Sequence, residues 1–235
     1  MSIKSIIISN FTWYYIFFNL FGEIEETERI KDVYQCADLG LLLPFNEKMD
    51  YITNKKEINL VSRETTVDRS TMRRKHSISD DELLIYIGIE KSFSPSFLNN
   101  LKERYDSNLK FLFSSHIGLK FRNMIKIPIN ETESQNYVAM CDLIVSKTGY
   151  STASEAVRAK IPMMVFKREG YEEDELIGNE IEEIGIGRVI SDKSFCYGYW
   201  MSELNNLDKY KAKYKTIDER WKNDGSLEIL RYITG

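Results

Sequence analysis

Residues 142–155 read Asp Leu Ile Val Ser Lys Thr Gly Tyr Ser Thr Ala Ser Glu, an apolar run that halts at one glycine before a helical pattern begins. Leu143, Ile144 and Val145 have the character of a short buried strand. Gly149 permits a positive φ, and Ser151 and Thr152 bring hydroxyls to the place where the first N–H groups of a helix lack partners. Free N–H groups and the positive end of the helix dipole both favour an anion, so a nucleotide diphosphate suits the carboxyl end of this strand. A second reading needs no ligand. Thr152 Ala153 Ser154 Glu155 also fits a capping box in which Glu155 folds back onto the helix start.

Such a turn works only if a sheet holds it. Apolar strand candidates recur at Ile6–Ile8, Leu39–Leu43, Leu83–Ile87, Leu109–Phe113, Ile125–Ile127, Leu143–Val145 and Met163–Phe166. Helical patterns fall between most of them, over Thr27–Ala37, Pro95–Arg104, Gln135–Met140, Thr152–Ala159 and Asp174–Ile184. Strands alternating with helices predict an α/β chain with a doubly wound, Rossmann-like, mostly parallel sheet. Between Tyr51 and Ser79 the texture turns polar, which divides residues 1–60, with too few strands for an independent sheet, from a βα-rich unit over 61–235. The tail from Trp200 reads as amphipathic helices, with Trp221, Leu227, Leu230 and Tyr232 packing back on the body.

Composition narrows the function classes. At 43% hydrophobic and 29% charged, 235 residues are ordinary for a globular protein, and a net charge of -4 argues against a general electrostatic hold on nucleic acid. Cys36, Cys141 and Cys196 are odd in number and lack metal-ligand spacing, so no metal or cofactor is expected and the compartment reads as reducing and cytoplasmic. Cys141 is expected to be a buried thiol, and His76, beside Arg73, Arg74 and Lys75, to mark a solvated helix end. The apolar stretch from Ile6 to Phe21 is broken by Ser9, Asn10, Thr12 and Asn19 and followed by Glu23, Glu25 and Glu26. It reads as a strand and an aromatic helix, Trp13–Leu20, with no transmembrane segment expected.

The segment Ala139–Ala156, continuing through Ile161 Pro162 Met163 Met164 Val165, resembles the nucleotide-sugar-binding half of B-fold glycosyltransferases of family 28, which includes the peptidoglycan N-acetylglucosaminyltransferase. The residues in question follow Ser-(Lys/Arg)-x-Gly-x-x-Thr-x-Ser-Glu-Ala and lead to a strand opened by proline. Ile8–Trp13 and Tyr34–Phe45 look like the late part of the amino-terminal domain in the glycosyltransferase-like front half of arabinokinases. This resemblance implies a nucleotide-sugar donor, with UDP expected, whose diphosphate meets the amides of Gly149, Tyr150, Ser151 and Thr152. It implies ribose hydroxyls on Glu155, and sugar contacts from Glu173 and Asp174, where relatives carry amides; the acidic run around them reads equally as the solvated first turn of a helix. Lys147 and His116 stand where they could face the same pocket, or serve as a solvated strand end and a structural histidine respectively. The first turn of the second unit, Gly88 Ile89 Glu90 Lys91 Ser92, is reduced from the Gly-rich loop of relatives.

Relatives place an acceptor-binding loop and a general base in an amino-terminal domain, and no counterpart precedes Ile6. No catalytic base can be named, so the expectation is a donor-binding part of a hexosyltransferase that works with a partner chain supplying the acceptor half. Two other readings stand beside it: a non-catalytic nucleotide-sugar sensor or scaffold, and an epimerase of the same fold, for which the needed acid and base are not visible.

Overall fold

Among the described residues seven short apolar segments and two polar ones become strands, all parallel, in two sheets. The structure, a computed structural model, describes residues 4–89, 108–115, 117 and 122–234. The first sheet pairs β1 (Ile6–Ser9), β2 (Leu39–Leu42) and β3 (Lys55–Glu57), with β2 in the middle. Between β1 and β2 run α1 (Trp13–Phe21) and α2 (Glu25–Gln35). The polar stretch that follows contains α3 (Arg69–Lys75), and the second sheet begins beyond it.

That sheet comprises β4 (Leu83–Gly88), β5 (Leu109–Phe113), β6 (Met124–Lys126), β7 (Leu143–Lys147), β8 (Met163–Phe166) and β9 (Gly187–Val189). Its spatial order is β6-β5-β4-β7-β8-β9, the doubly wound order in which the chain reverses direction between β4 and β7. Ligands in such sheets collect outside the carboxyl ends of the strands at that reversal. Here those ends are Gly88 and Ser146, which pair in register. A Cβ on Gly88 would stand 2.6 Å from Cβ of Ser146, so only glycine lets the two strands close at this point.

Leu143, Ile144 and Val145 are wholly buried and separate the two layers of the core, Ile144 facing one and Leu143 and Val145 the other. α4 (Ser134–Ala139), α5 (Tyr150–Ala159) and α6 (Glu172–Ile184) flank the sheet; the helix expected over Pro95–Arg104 lies outside the described residues. After β9 come α7 (Asp192–Tyr197), a 3-10 stretch (Tyr199–Asn206), α8 (Leu207–Lys213), α9 (Glu219–Lys222) and α10 (Ser226–Thr234). α10 leaves the second unit and lies on the first, where Ile229 and Tyr232 pack against Leu39, Leu41 and Ile58. Trp221 is buried as expected, but Leu227 and Leu230 face solvent, because it is the Ile229 and Tyr232 side of α10 that meets the first sheet. Among the described residues no helix is long and apolar enough to cross a membrane.

Of the basic run at the end of α3, Arg74 and Lys75 are exposed as expected, but Arg73 is not. Arg73 is buried and donates to Asp142 and to the carbonyls of Met140, Ser79 and Glu82, while Arg69 reaches the other oxygen of Asp142. Asp142 also accepts the Leu84 amide, so one carboxylate fastens α3, β4 and β7 together. His76 packs on the Tyr137 ring, and burial lowers its pKa. Cys141 is fully buried, its thiol pKa pushed up by burial and by Asp142.

Candidate functional site

β7 ends at Lys147 and α5 starts at Tyr150, with Gly149 as its N-cap. Gly149 has φ -155°, extended backbone that any residue adopts, so the positive φ expected there is absent. Its Cβ position meets nothing within 4 Å, and the bare backbone borders open space. The first backbone bond of the helix is from Ala153 N–H to the Gly149 carbonyl. Among the described residues the N–H groups of Ser151 and Thr152 therefore meet no acceptor, as is usual in the first turn of a helix.

These groups border a cleft of about 690 Å³ at the carboxyl end of the second sheet. One wall is the turn Lys147–Thr152 together with the loop after β8, from which Arg168, Tyr171, Glu172 and Glu173 contribute. The facing wall comes from the first unit: Phe11, Trp13, Ile16, Phe17 and Leu20, all apolar. α1 carries no charged residue along its length. Its start is fixed by a buried cluster in which the Glu47 carboxylate accepts from the Thr12 N–H, the Thr12 hydroxyl and the Tyr51 hydroxyl, each at 2.8 Å. Burial raises the Glu47 pKa against those hydrogen bonds. The cleft thus opposes unpaired peptide N–H groups to an apolar helix supplied by another unit.

The loop after β8 is held by an acid. Asp174 is wholly buried and takes Arg168 through Nε at 2.9 Å, Nη2 at 2.7 Å and the backbone N–H at 2.8 Å. The Arg168 guanidinium also lies 3.8 Å over the Tyr171 ring. Asp174, expected to touch a sugar, is therefore committed to the loop itself and lies off the cleft wall, because a fully buried carboxylate needs its cation. Glu173 does face the cleft, and its carboxylate leans on the Asn10 side chain and the Tyr150 backbone N–H. Burial raises its pKa above the usual carboxylate range, and neighbouring Asp174 adds to the rise.

Glu155 is the sixth residue of α5, too far along to cap a helix whose N-cap is Gly149. Its carboxylate is 6% exposed and held by Arg63 at 2.6 and 2.9 Å; both of these bonds fall on Oε1. Burial raises the Glu155 pKa and Arg63 opposes the rise. Arg63 also donates to the Thr132 carbonyl and the Ser134 hydroxyl, which ties the segment after β3 to the start of α4. Lys147 lines the cleft, as does Thr148, whose buried hydroxyl makes no hydrogen bond. His116 lies outside the described residues. Among those residues no cluster of His, Cys, Asp or Glu could hold a metal ion. Sequence reasoning gave no sign of Arg63 or of the apolar wall, since each acts across units far apart in the chain.

No family model matches the chain. Its two units nevertheless superpose on CalG4, the calicheamicin glycosyltransferase, with a TM-score of 0.65 at 9% identity over 93% of this chain and 63% of that one. The chain has the B-type glycosyltransferase fold. The spinosyn rhamnosyltransferase SpnG shares that fold, with a TM-score of 0.63 at 11% identity over 85% of this chain and 57% of the other, and it has also been solved with thymidine diphosphate. By sequence, the L-arabinokinase of Arabidopsis thaliana is 22% identical over 220 residues, which is 91% of this chain and 21% of that protein. The chain thus spans about a fifth of its curated relative and under two thirds of these glycosyltransferases. The cleft lies between the two units of the chain.

Proposed function

We propose that this chain forms the donor side of a glycosyltransferase, holding a nucleoside diphosphate sugar, UDP-linked, for transfer to an acceptor hydroxyl. The observation that carries this reading is the turn past Gly149, where the Ser151 and Thr152 N–H groups open on a cleft walled by a second unit. Two anionic phosphates fit N–H donors at a helix start. A bare Gly149 backbone lets them approach closely. Glu173, on the cleft wall, suits the sugar, and the ribose hydroxyls are assigned to Glu155, which is not among the cleft-lining residues but keeps one oxygen outside its Arg63 bonds. The thymidine diphosphate complex of SpnG supports a pyrimidine nucleoside diphosphate.

Transfer also needs a base for the acceptor hydroxyl. We assign that base to the acceptor half of the enzyme, which a partner chain would complete.

Calorimetric titration with UDP and with UDP-hexoses tests the reading, and Gly149→Val is the informative variant. A Cβ there meets no protein atom within 4 Å, so the fold should hold to within about 1 kcal/mol, while diphosphate affinity should drop at least about tenfold. Absence of saturable binding to the parent chain, or parent-like affinity in Gly149→Val, would count against a donor site. Binding without hydrolysis or transfer, even with acceptor-half chains added, would favour a sensor instead.

A further inference from the structure

The helix whose start faces the cleft ends at a second cavity, of about 410 Å³, into which Arg158, Lys160, Lys215 and Lys222 all contribute and no carboxylate does. Four cations around one hollow stand out in a chain of net charge -4. Two of them are already answered. Arg158 donates to the Lys222 carbonyl at 3.0 Å and lies 3.5 Å from Asp224, and Lys222 is 3.0 Å from Glu219. Among the described residues Lys160 and Lys215 make no ion pair, which leaves two positive charges at the rim. The Arg158 Nε is buried and makes no hydrogen bond.

The floor is apolar. Ile217 and the buried Trp221 line it, and Trp221 is held in place by an edge contact with Phe45 at 4.7 Å. Two unpaired ammonium groups above an aromatic floor complement a phosphate monoester, which carries up to two negative charges near neutrality, joined to a flat apolar body. Lys160 itself sits at φ 59°, a left-handed helix end that glycine adopts with less strain. Its charge can therefore be removed without cost to the helix.

We propose that this cavity binds a small organic phosphate, with the phosphate between Lys160 and Lys215 and the apolar body over Trp221, separately from the donor cleft. Titrating the full chain with 1-naphthyl phosphate should give saturable one-site binding, about tenfold tighter than that of inorganic phosphate because the ring leaves water. Phosphatidic acid vesicles form a separate arm that distinguishes a lipid headgroup from a soluble phosphate. Lys160→Gly/Lys215→Gln should weaken binding at least about tenfold while melting no lower than the parent, and Lys215→Gln alone should weaken it by a smaller factor at any stability. Parent-like affinity in the double variant, loss of 1-naphthyl phosphate binding in Gly149→Val, or no saturation in either arm up to roughly 10 mM would overturn the assignment.

Discussion

The unpaired Ser151 and Thr152 N–H groups invite an anion into the cleft, while Glu173 places a carboxylate against the neighbouring Tyr150 amide. A diphosphate entering there meets that carboxylate, with Glu172 nearby and Lys147 and Arg168 on the same wall. Because burial raises the Glu173 pKa, its proton is retained to higher pH than that of an ordinary glutamate. As pH falls through that raised value, the charge opposing the diphosphate disappears and affinity for a UDP-sugar should strengthen. As pH rises, affinity should weaken to a plateau. The diphosphate diester of a UDP-sugar takes up no proton in this range, so the dependence reports the protein. Glu173→Gln should bind about three- to tenfold more tightly than the parent at pH 8 and show a flatter pH profile; an unchanged profile would remove Glu173 from the anion site.

Glu155 gives a second residue-scale expectation. A cap role is closed to it by position, and its Arg63 partner is half exposed and keeps the Thr132 carbonyl and Ser134 as acceptors. Glu155→Ala should therefore cost only about 1 kcal/mol of stability while nucleotide affinity falls at least about tenfold. Melting by circular dichroism beside calorimetry separates the two, and a large stability loss with full affinity would make Glu155 a purely structural anchor.

At the scale of elements, β7 and the turn after it were legible because a run of Leu, Ile and Val ending at glycine has few other meanings. β3 was not legible. Its three residues, Lys55, Lys56 and Glu57, are charged and stand at a sheet edge, where apolar alternation is not required. Arg73 misled for a related reason: a basic run looks solvated, and its partner Asp142 lies 69 residues away. That pair is the joint between α3, β4 and β7, and the Arg73 side chain is only 5% exposed. Asp142→Ala would leave a buried guanidinium unpaired and remove the acceptor of the Leu84 amide. A loss of about 3–5 kcal/mol in denaturant unfolding is expected, several times the effect of Glu155→Ala. A loss under about 1 kcal/mol would mean that solvent reaches Arg73 more freely than its burial implies.

At the scale of the molecule, the cleft exists because α1 of the first unit stands opposite the loops after β7 and β8, and the chain crosses between the units more than once. The polar stretch after β3 carries it forward, and α10 brings it back. Leu60 accepts the Gly225 N–H and donates to the Arg220 carbonyl, and Glu228 accepts the Asn59 N–H, so the return is pinned at the junction itself. Among the described residues the first sheet has three strands, and part of its core is completed by Ile229 and Tyr232 from α10. A small sheet that borrows its cover should open more readily than the six-stranded one. Ile229→Ala/Tyr232→Ala should raise amide hydrogen exchange in Leu39–Leu42 at least about tenfold and leave Leu143–Val145 protected, because the lost contacts touch only the first sheet. The apolar wall of the cleft rides on that sheet through α1, so UDP-sugar turnover in a completed enzyme should fall further than UDP binding. An equal rise of exchange in both sheets would mean that the two units unfold as one body, and the cleft would then be a fixed groove.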